Sequence, residues 1–111
     1  MLPQKNRIIK KDFPAPKRQG SRIFSPLFSG TFYKEGDEMR VAVVVSKKTA
    51  KTAVTRNLIR RRFYSIMELH QKNLTQKGLM VFYPKKEALT ATFDALKAEV
   101  EAALRRARLI L

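Results

Sequence analysis

Hydrophobic periodicity changes twice between Val41 and Tyr83, and that double change limits the folds open to this chain. Val41-Ala42-Val43-Val44-Val45 is an apolar run rich in β-branched residues and without alternation. Such a run predicts a strand buried on both faces, at the centre of a sheet. From Thr52 or Ala53 to about Lys72 the period becomes helical: Val54, Leu58, Ile59, Phe63, Ile66 and Met67 recur at spacings of three, four and seven. At 100° per residue they fill an arc of roughly 220°. Gly78 then opens a second short run, Leu79-Met80-Val81-Phe82-Tyr83, ended by Pro84. Strand, helix and strand in this order make a β-α-β crossover if the strands are parallel, and the steric default for its hand is right-handed.

The flanks complete a layout. Ile23 to Tyr33 carries Phe24, Leu27, Phe28, Phe32 and Tyr33, with Pro26 early and Gly30 as a candidate bulge. Glu35-Gly36-Asp37 is turn chemistry and predicts a hairpin into the Val41 run. Thr90 or Thr92 is placed to cap a last helix with Asp94 in its first turn. Phe93, Leu96, Val100, Leu104 and Ala107 supply that helix's buried stripe. Lys5 to Phe13 allows a turn or two of helix before Pro14 and Pro16 stop it, so residues 1–21 read as a basic arm. The expected architecture is α+β: a single domain over residues 1–111, with a small central sheet of about four strands and helices packed on it. A chain of 111 residues leaves no room for a second catalytic module, and 44% hydrophobic residues suffice for one core.

Charge sets the class of partner. Lys and Arg number 24 against nine Asp and Glu, a net charge of +15. The excess is concentrated: residues 1–22 hold seven basic side chains and one acid, and residues 40–72 hold nine and one. An even, merely solubilising surface would not cluster in this way. A polyanion is the expected partner, nucleic acid ahead of an anionic membrane surface. No apolar run approaches the ~20 residues of a membrane span. The basic start has no apolar segment behind it, which argues against a signal peptide, and the expected location is the cytoplasm. The absence of cysteine excludes a disulfide scaffold, a zinc finger and a thiol nucleophile.

Residues suited to catalysis are scarce. His70 is the single histidine and reads as a helix-end residue, since no nucleophile or carboxylate is nominated to partner it. The carboxylates are scattered and suggest no pair able to hold two metal ions, and four glycines form no phosphate loop. Binding chemistry is better supplied. Ser46-Lys47-Lys48-Thr49-Ala50-Lys51 leads from a strand into a helix whose polar face carries Asn57, Arg60 and Arg61, with Arg56 at its edge. A helix N-terminus gathers backbone amides and positive dipole, and guanidinium forks add bidentate phosphate contacts. Arg62 falls on the apolar side, its stem over the core and its head toward water. Phe13, Phe24, Phe28, Phe32 and Tyr33 are candidate stacking surfaces for bases, or else members of the core.

Ser46-Lys47-Lys48, Lys51, Ala53-Val54 and Arg56-Asn57-x-x-Arg60-Arg61 together resemble the signature of the bacterial ribonuclease P protein subunit. Leu2-Pro3-x-Lys5-Asn6-Arg7, Asp12-Phe13, Gly20 and Ser25-Pro26-Leu27-Phe28 resemble that family's opening, in the same order. The resemblance implies a left-handed β-α-β crossover, against the steric default. It also implies a non-catalytic partner to a large catalytic RNA, which removes the 5′ leader of precursor tRNA with Mg²⁺ bound by the RNA and its substrate. RNA-subunit contact is thereby carried onto Lys47, Lys48, Lys51, Arg56, Asn57, Arg60 and Arg61. Leader contact is carried onto Phe13, and more distantly onto the strand residues Phe28 and Phe32. Where the family presents a second aromatic after Asp-Phe, this chain has Lys17, a candidate for a charge contact instead. Where the family often has another arginine after Arg61, this chain has Tyr64. The implied partners are the catalytic RNA and precursor tRNA, with no membrane and no protein partner required. A basic ribosomal RNA-binding protein is the alternative that fits charge and size alone.

Overall fold

Strand β4, Gly78–Pro84, runs between two others and is buried at every position except Tyr83. The computed structural model describes residues 20–34 and 38–110. In chain order its elements are β1 (Ser21–Phe24), β2 (Phe28–Lys34), β3 (Arg40–Val43), α1 (Ala53–His70), β4, α2 (Glu87–Thr90) and α3 (Phe93–Arg106). The four strands form one mixed sheet in the order β1-β2-β4-β3. β2 meets β4 antiparallel, from Phe28 opposite Pro84 to Lys34 opposite Gly78. β3 meets β4 parallel, from Arg40 beside Leu79 to Val43 beside Phe82. The expected α+β class and the β3-α1-β4 crossover between parallel strands are present.

Three local expectations need correction. The Val41 run lies at the sheet edge, and β4 is the strand paired on both sides. β3 is nevertheless apolar throughout, because Val41 and Val43 face the helices while Ala42 packs with Leu79 and Val81 on the other face. The hairpin expected from β2 to β3 does not form, since β4 lies between them; Glu35-Gly36-Asp37 falls outside the described residues. Gly30 is no bulge, for the β2–β4 register runs through it without a break. Its role is close approach: a Cβ there would stand 2.8 Å from the Val81 carbonyl oxygen.

The segment from Ile23 to Tyr33 divides at Ser25. The Ser25 amide donates to the Phe28 carbonyl at 2.9 Å, and the Leu27 amide donates to Ser25 Oγ at 3.0 Å, closing a tight β1–β2 hairpin over Pro26. β2 then alternates, placing Phe28, Gly30 and Phe32 inward. Phe28 meets Phe63 edge-on with centroids 5.5 Å apart and Phe82 at 5.4 Å, while Phe63 and Phe82 are 4.8 Å apart. These are favourable edge and tilted geometries around which the core closes. Ile59, Ile66 and Met67 of α1 and Leu96, Val100 and Leu104 of α3 pack into the same cluster.

Helix ends follow local chemistry closely. Thr52 caps α1 by accepting from the Thr55 amide, and Thr92, the second of the two candidates, caps α3 by accepting from the Ala95 amide at 3.1 Å. His70 ends α1 as expected, with Nε2 2.8 Å from Glu101 Oε2 of α3. Val54 and Leu58 do not join the buried stripe; both are exposed. An arc of roughly 220° is wider than one contact surface, and these two lie roughly 120° or more from the meridian centred on Ile59 and Phe63. Among the described residues no helix is long and apolar enough to cross a membrane.

Phe28, fully buried among the rings, tests this packing. Phe28→Ala is expected to lower stability by about 3–5 kcal/mol in urea unfolding.

Candidate nucleic-acid interface

β3 delivers the chain to a turn that holds its cations outward. The Ser46 carbonyl accepts from the amides of Thr49 at 3.1 Å and Ala50 at 3.0 Å, and Ser46 Oγ lies 3.0 Å from Thr49 Oγ1. Ala50 is buried and anchors the turn, leaving Lys47, Lys48 and Lys51 exposed. Thr52 then starts α1, whose first turn contains no acid to offset the positive helix end.

The arginines of α1 divide by direction. Arg56 is half-buried and folds back onto the turn, Nη1 donating to the carbonyls of Ala50 at 2.9 Å and Lys51 at 3.0 Å. Arg60 donates from Nη1 to Asn57 Oδ1 at 2.9 Å and makes a longer 3.4 Å contact from Nε to the Val43 carbonyl. Asn57 and Arg61 are exposed on the outward side. Arg62 is half-buried, and its head donates to the Ala91 carbonyl at 3.2 Å instead of reaching water. The seven sequence candidates are thus gathered at one end of the fold, but not on a single face. Among the described residues none of their cations meets a carboxylate, so the carbonyls that receive Arg56 and Arg60 fix geometry without cancelling charge.

The aromatic candidates sort differently. Phe28 and Phe32 are buried in the core and offer no ring face, because β2's alternation turns them toward the helices. Phe13 and Lys17 lie outside the described residues, as does the helical turn expected at Lys5–Phe13. The opposite sheet face carries Tyr33 and Tyr83, the latter 40% exposed and overlooked in the sequence. A run of apolar residues from Leu79 to Phe82 hid its alternation; only the register against β2 separates Tyr83 from Phe82. Partial burial, and secondarily the neighbouring Tyr33 phenol, push Tyr83 above its ordinary value, so it stays neutral at physiological pH. Val43 aligns with Phe82, which puts Tyr83 beside Val44, where the chain leaves β3 for the basic turn.

The Ribonuclease P family pattern matches residues 2–108. The chain belongs to the ribonuclease P protein family. The ribonuclease P protein component of Synechococcus sp. strain JA-2-3B'a(2-13) is 31% identical over 120 residues, covering 100% of this chain and 88% of the relative. That of Synechococcus elongatus is 32% identical over 117 residues, covering 98% and 95%. In fold, the Staphylococcus aureus RNase P protein superposes with a TM-score of 0.82 at 22% identity, over 96% of this chain and 98% of that one. The Thermotoga maritima RNase P protein gives 0.71 at 22% identity, over 79% and 84%.

Among the described residues no three of His, Asp and Glu come together as a metal-binding group. The arrangement is equipped to hold a phosphate chain: three lysines and Arg61 present charge, and Arg56 fixes the turn that carries the lysines.

That division predicts unlike variants. Arg56→Ala removes two charge-assisted bonds to carbonyls and is expected to cost about 1.5–3 kcal/mol in chemical unfolding. Arg61→Ala, at an exposed site, should stay within about 0.5 kcal/mol. Both should weaken RNA binding, measured by filter retention or anisotropy.

Proposed function

We propose that this chain is the non-catalytic, RNA-binding protein subunit of ribonuclease P, acting in tRNA 5′-end maturation. It binds the catalytic RNA through the turn at Lys47, Lys48 and Lys51 and through Arg56, Asn57, Arg60 and Arg61 of α1. Membership of the family supports the general role. The single observation that carries the binding surface is a cluster of cations, two of them (Arg56 and Arg60) fixed by backbone carbonyls, left without carboxylate partners among the described residues.

The work is electrostatic and positional. Phosphates of two RNAs repel each other, and a rigid cationic end placed between them lowers that repulsion. The 5′ leader of precursor tRNA is assigned to the sheet face bearing Tyr33 and Tyr83, where the rings can stack on bases beside the basic turn. Phe13 and Lys17 remain leader candidates from the sequence. Mg²⁺ is assigned to the RNA subunit and the substrate. The site of action is the cytoplasm.

The deciding experiment adds the purified chain to a bacterial ribonuclease P RNA at low Mg²⁺ and follows precursor-tRNA cleavage. Stimulation is expected; its absence, with tight binding to ribosomal RNA instead, would favour a ribosomal protein. If about six phosphates are neutralised, affinity should fall with salt at a log–log slope on the order of −4 to −5. A salt-insensitive affinity would refute the electrostatic account. Tyr83→Ala should reduce affinity for leader-bearing precursor more than for mature tRNA, by about 5-fold or more.

A further inference from the structure

The far edge of the sheet carries an aromatic side chain that the core does not use. Phe24, the last residue of β1, is 61% exposed. β1 is the edge strand opposite β3, so Phe24 stands three strand spacings from the strand that leads to the basic turn, about 14 Å at ~4.8 Å each. Beside it is a shallow cavity of about 140 Å³ lined by Arg22, Ile23, Phe24, Ala103, Arg106 and Ala107.

The surroundings of this ring are built. The Ser25–Phe28 bond makes that pair hydrogen-bonded, so by alternation the backbone groups of Phe24 and Arg22 point away from β2 to the open edge. Arg106, from the last turn of α3, reaches across and donates from Nη2 to the Phe24 carbonyl. This bond closes the edge at that point and holds a guanidinium at the backbone of Phe24. Arg22 is exposed and makes no bond among the described residues. The nearby Glu99 accepts from Ser25 Oγ at 3.0 Å, which directs it into the β1–β2 turn. An exposed ring that shares a cavity with two arginines and two small alanines offers what a base and its flanking phosphates require.

We infer that Phe24, Arg22 and Arg106 form a second RNA contact, binding one unpaired nucleotide of a single strand with its base stacked on Phe24. This rests on the reading of the chain as an RNA-binding subunit but uses none of the residues assigned there. The position of the contact lets a strand be held at both edges of the sheet. Bound RNA would then be fixed at two separated points.

The chain contains no tryptophan, so Phe24→Trp creates a single fluorescent reporter in the full-length protein. Oligoadenylate is expected to quench that emission, inorganic polyphosphate of equal charge is not, and Arg22→Ala in the same background should weaken the quenching titration. Lys47→Ala/Lys48→Ala should leave the quenching amplitude intact. In the parent chain Phe24→Ala should lower oligoadenylate affinity by about 5-fold or more, with Phe24→Leu no better. Binding by anisotropy without any change in emission would overturn the inference. Equal quenching by polyphosphate, or quenching abolished by the lysine pair alone, would also overturn it. Each of these can occur while ribonuclease P RNA is still stimulated, which separates failure here from failure of the general role.

Discussion

Parallel pairing of β3 with β4 is the constraint on which the rest of the molecule depends. Two antiparallel strands can be joined by a short turn, but two parallel neighbours need a crossover, and here that crossover is α1. The helix must therefore begin where β3 ends and return along the sheet, with Ile59, Phe63, Ile66 and Met67 pressed on Val41, Val43 and Phe82. A strand end, a helix N-terminus and the segment between them are brought together by topology before any functional residue is chosen. The basic turn occupies that position, where Ala50 is buried as its anchor.

Local features of this arrangement were legible in the sequence, and non-local ones were not. The start of α1 followed from periodicity, and that of α3 to within the choice of Thr90 or Thr92, because a cap bonds to an amide three residues away. The identity of the central strand did not, because Val41–Val45 and Leu79–Phe82 look alike as apolar runs and only the pairing order distinguishes edge from centre. Phe28 and Phe32 were ambiguous for the same reason: period two shows that they share a face, not which face the helices cover. Tyr83 was hidden by its apolar neighbours. Val54 and Leu58 fit a helical stripe in projection, yet the sheet covers less of α1 than the stripe spans. The Arg56-Asn57-x-x-Arg60-Arg61 block was readable because its meaning lies in spacing along one helix and in the resemblance it carries.

What the spacing could not reveal is that these arginines differ in direction. Arg56 and Arg60 donate to carbonyls, Arg60 also to Asn57, and Arg62 ties α1 to the start of α3 through the Ala91 carbonyl. A carbonyl holds a guanidinium in place while leaving its charge, whereas a carboxylate would hold it and cancel that charge. For a chain of net charge +15 the choice has a cost in self-repulsion. It also keeps the potential available at the surface, with fewer conformations to lose when a phosphate arrives.

The same logic applies to the hydrogen bond that joins His70 of α1 to Glu101 of α3. His70 meets Glu101 where α1 ends against α3, at the end of α1 remote from the basic turn. Acidic partners at the other end would have strengthened the isolated protein and weakened its claim on a polyanion. The distribution of acids, as much as that of lysines and arginines, therefore marks which surface keeps its positive charge. Acids serve where helices must be joined, and carbonyls take their place where charge has to survive folding.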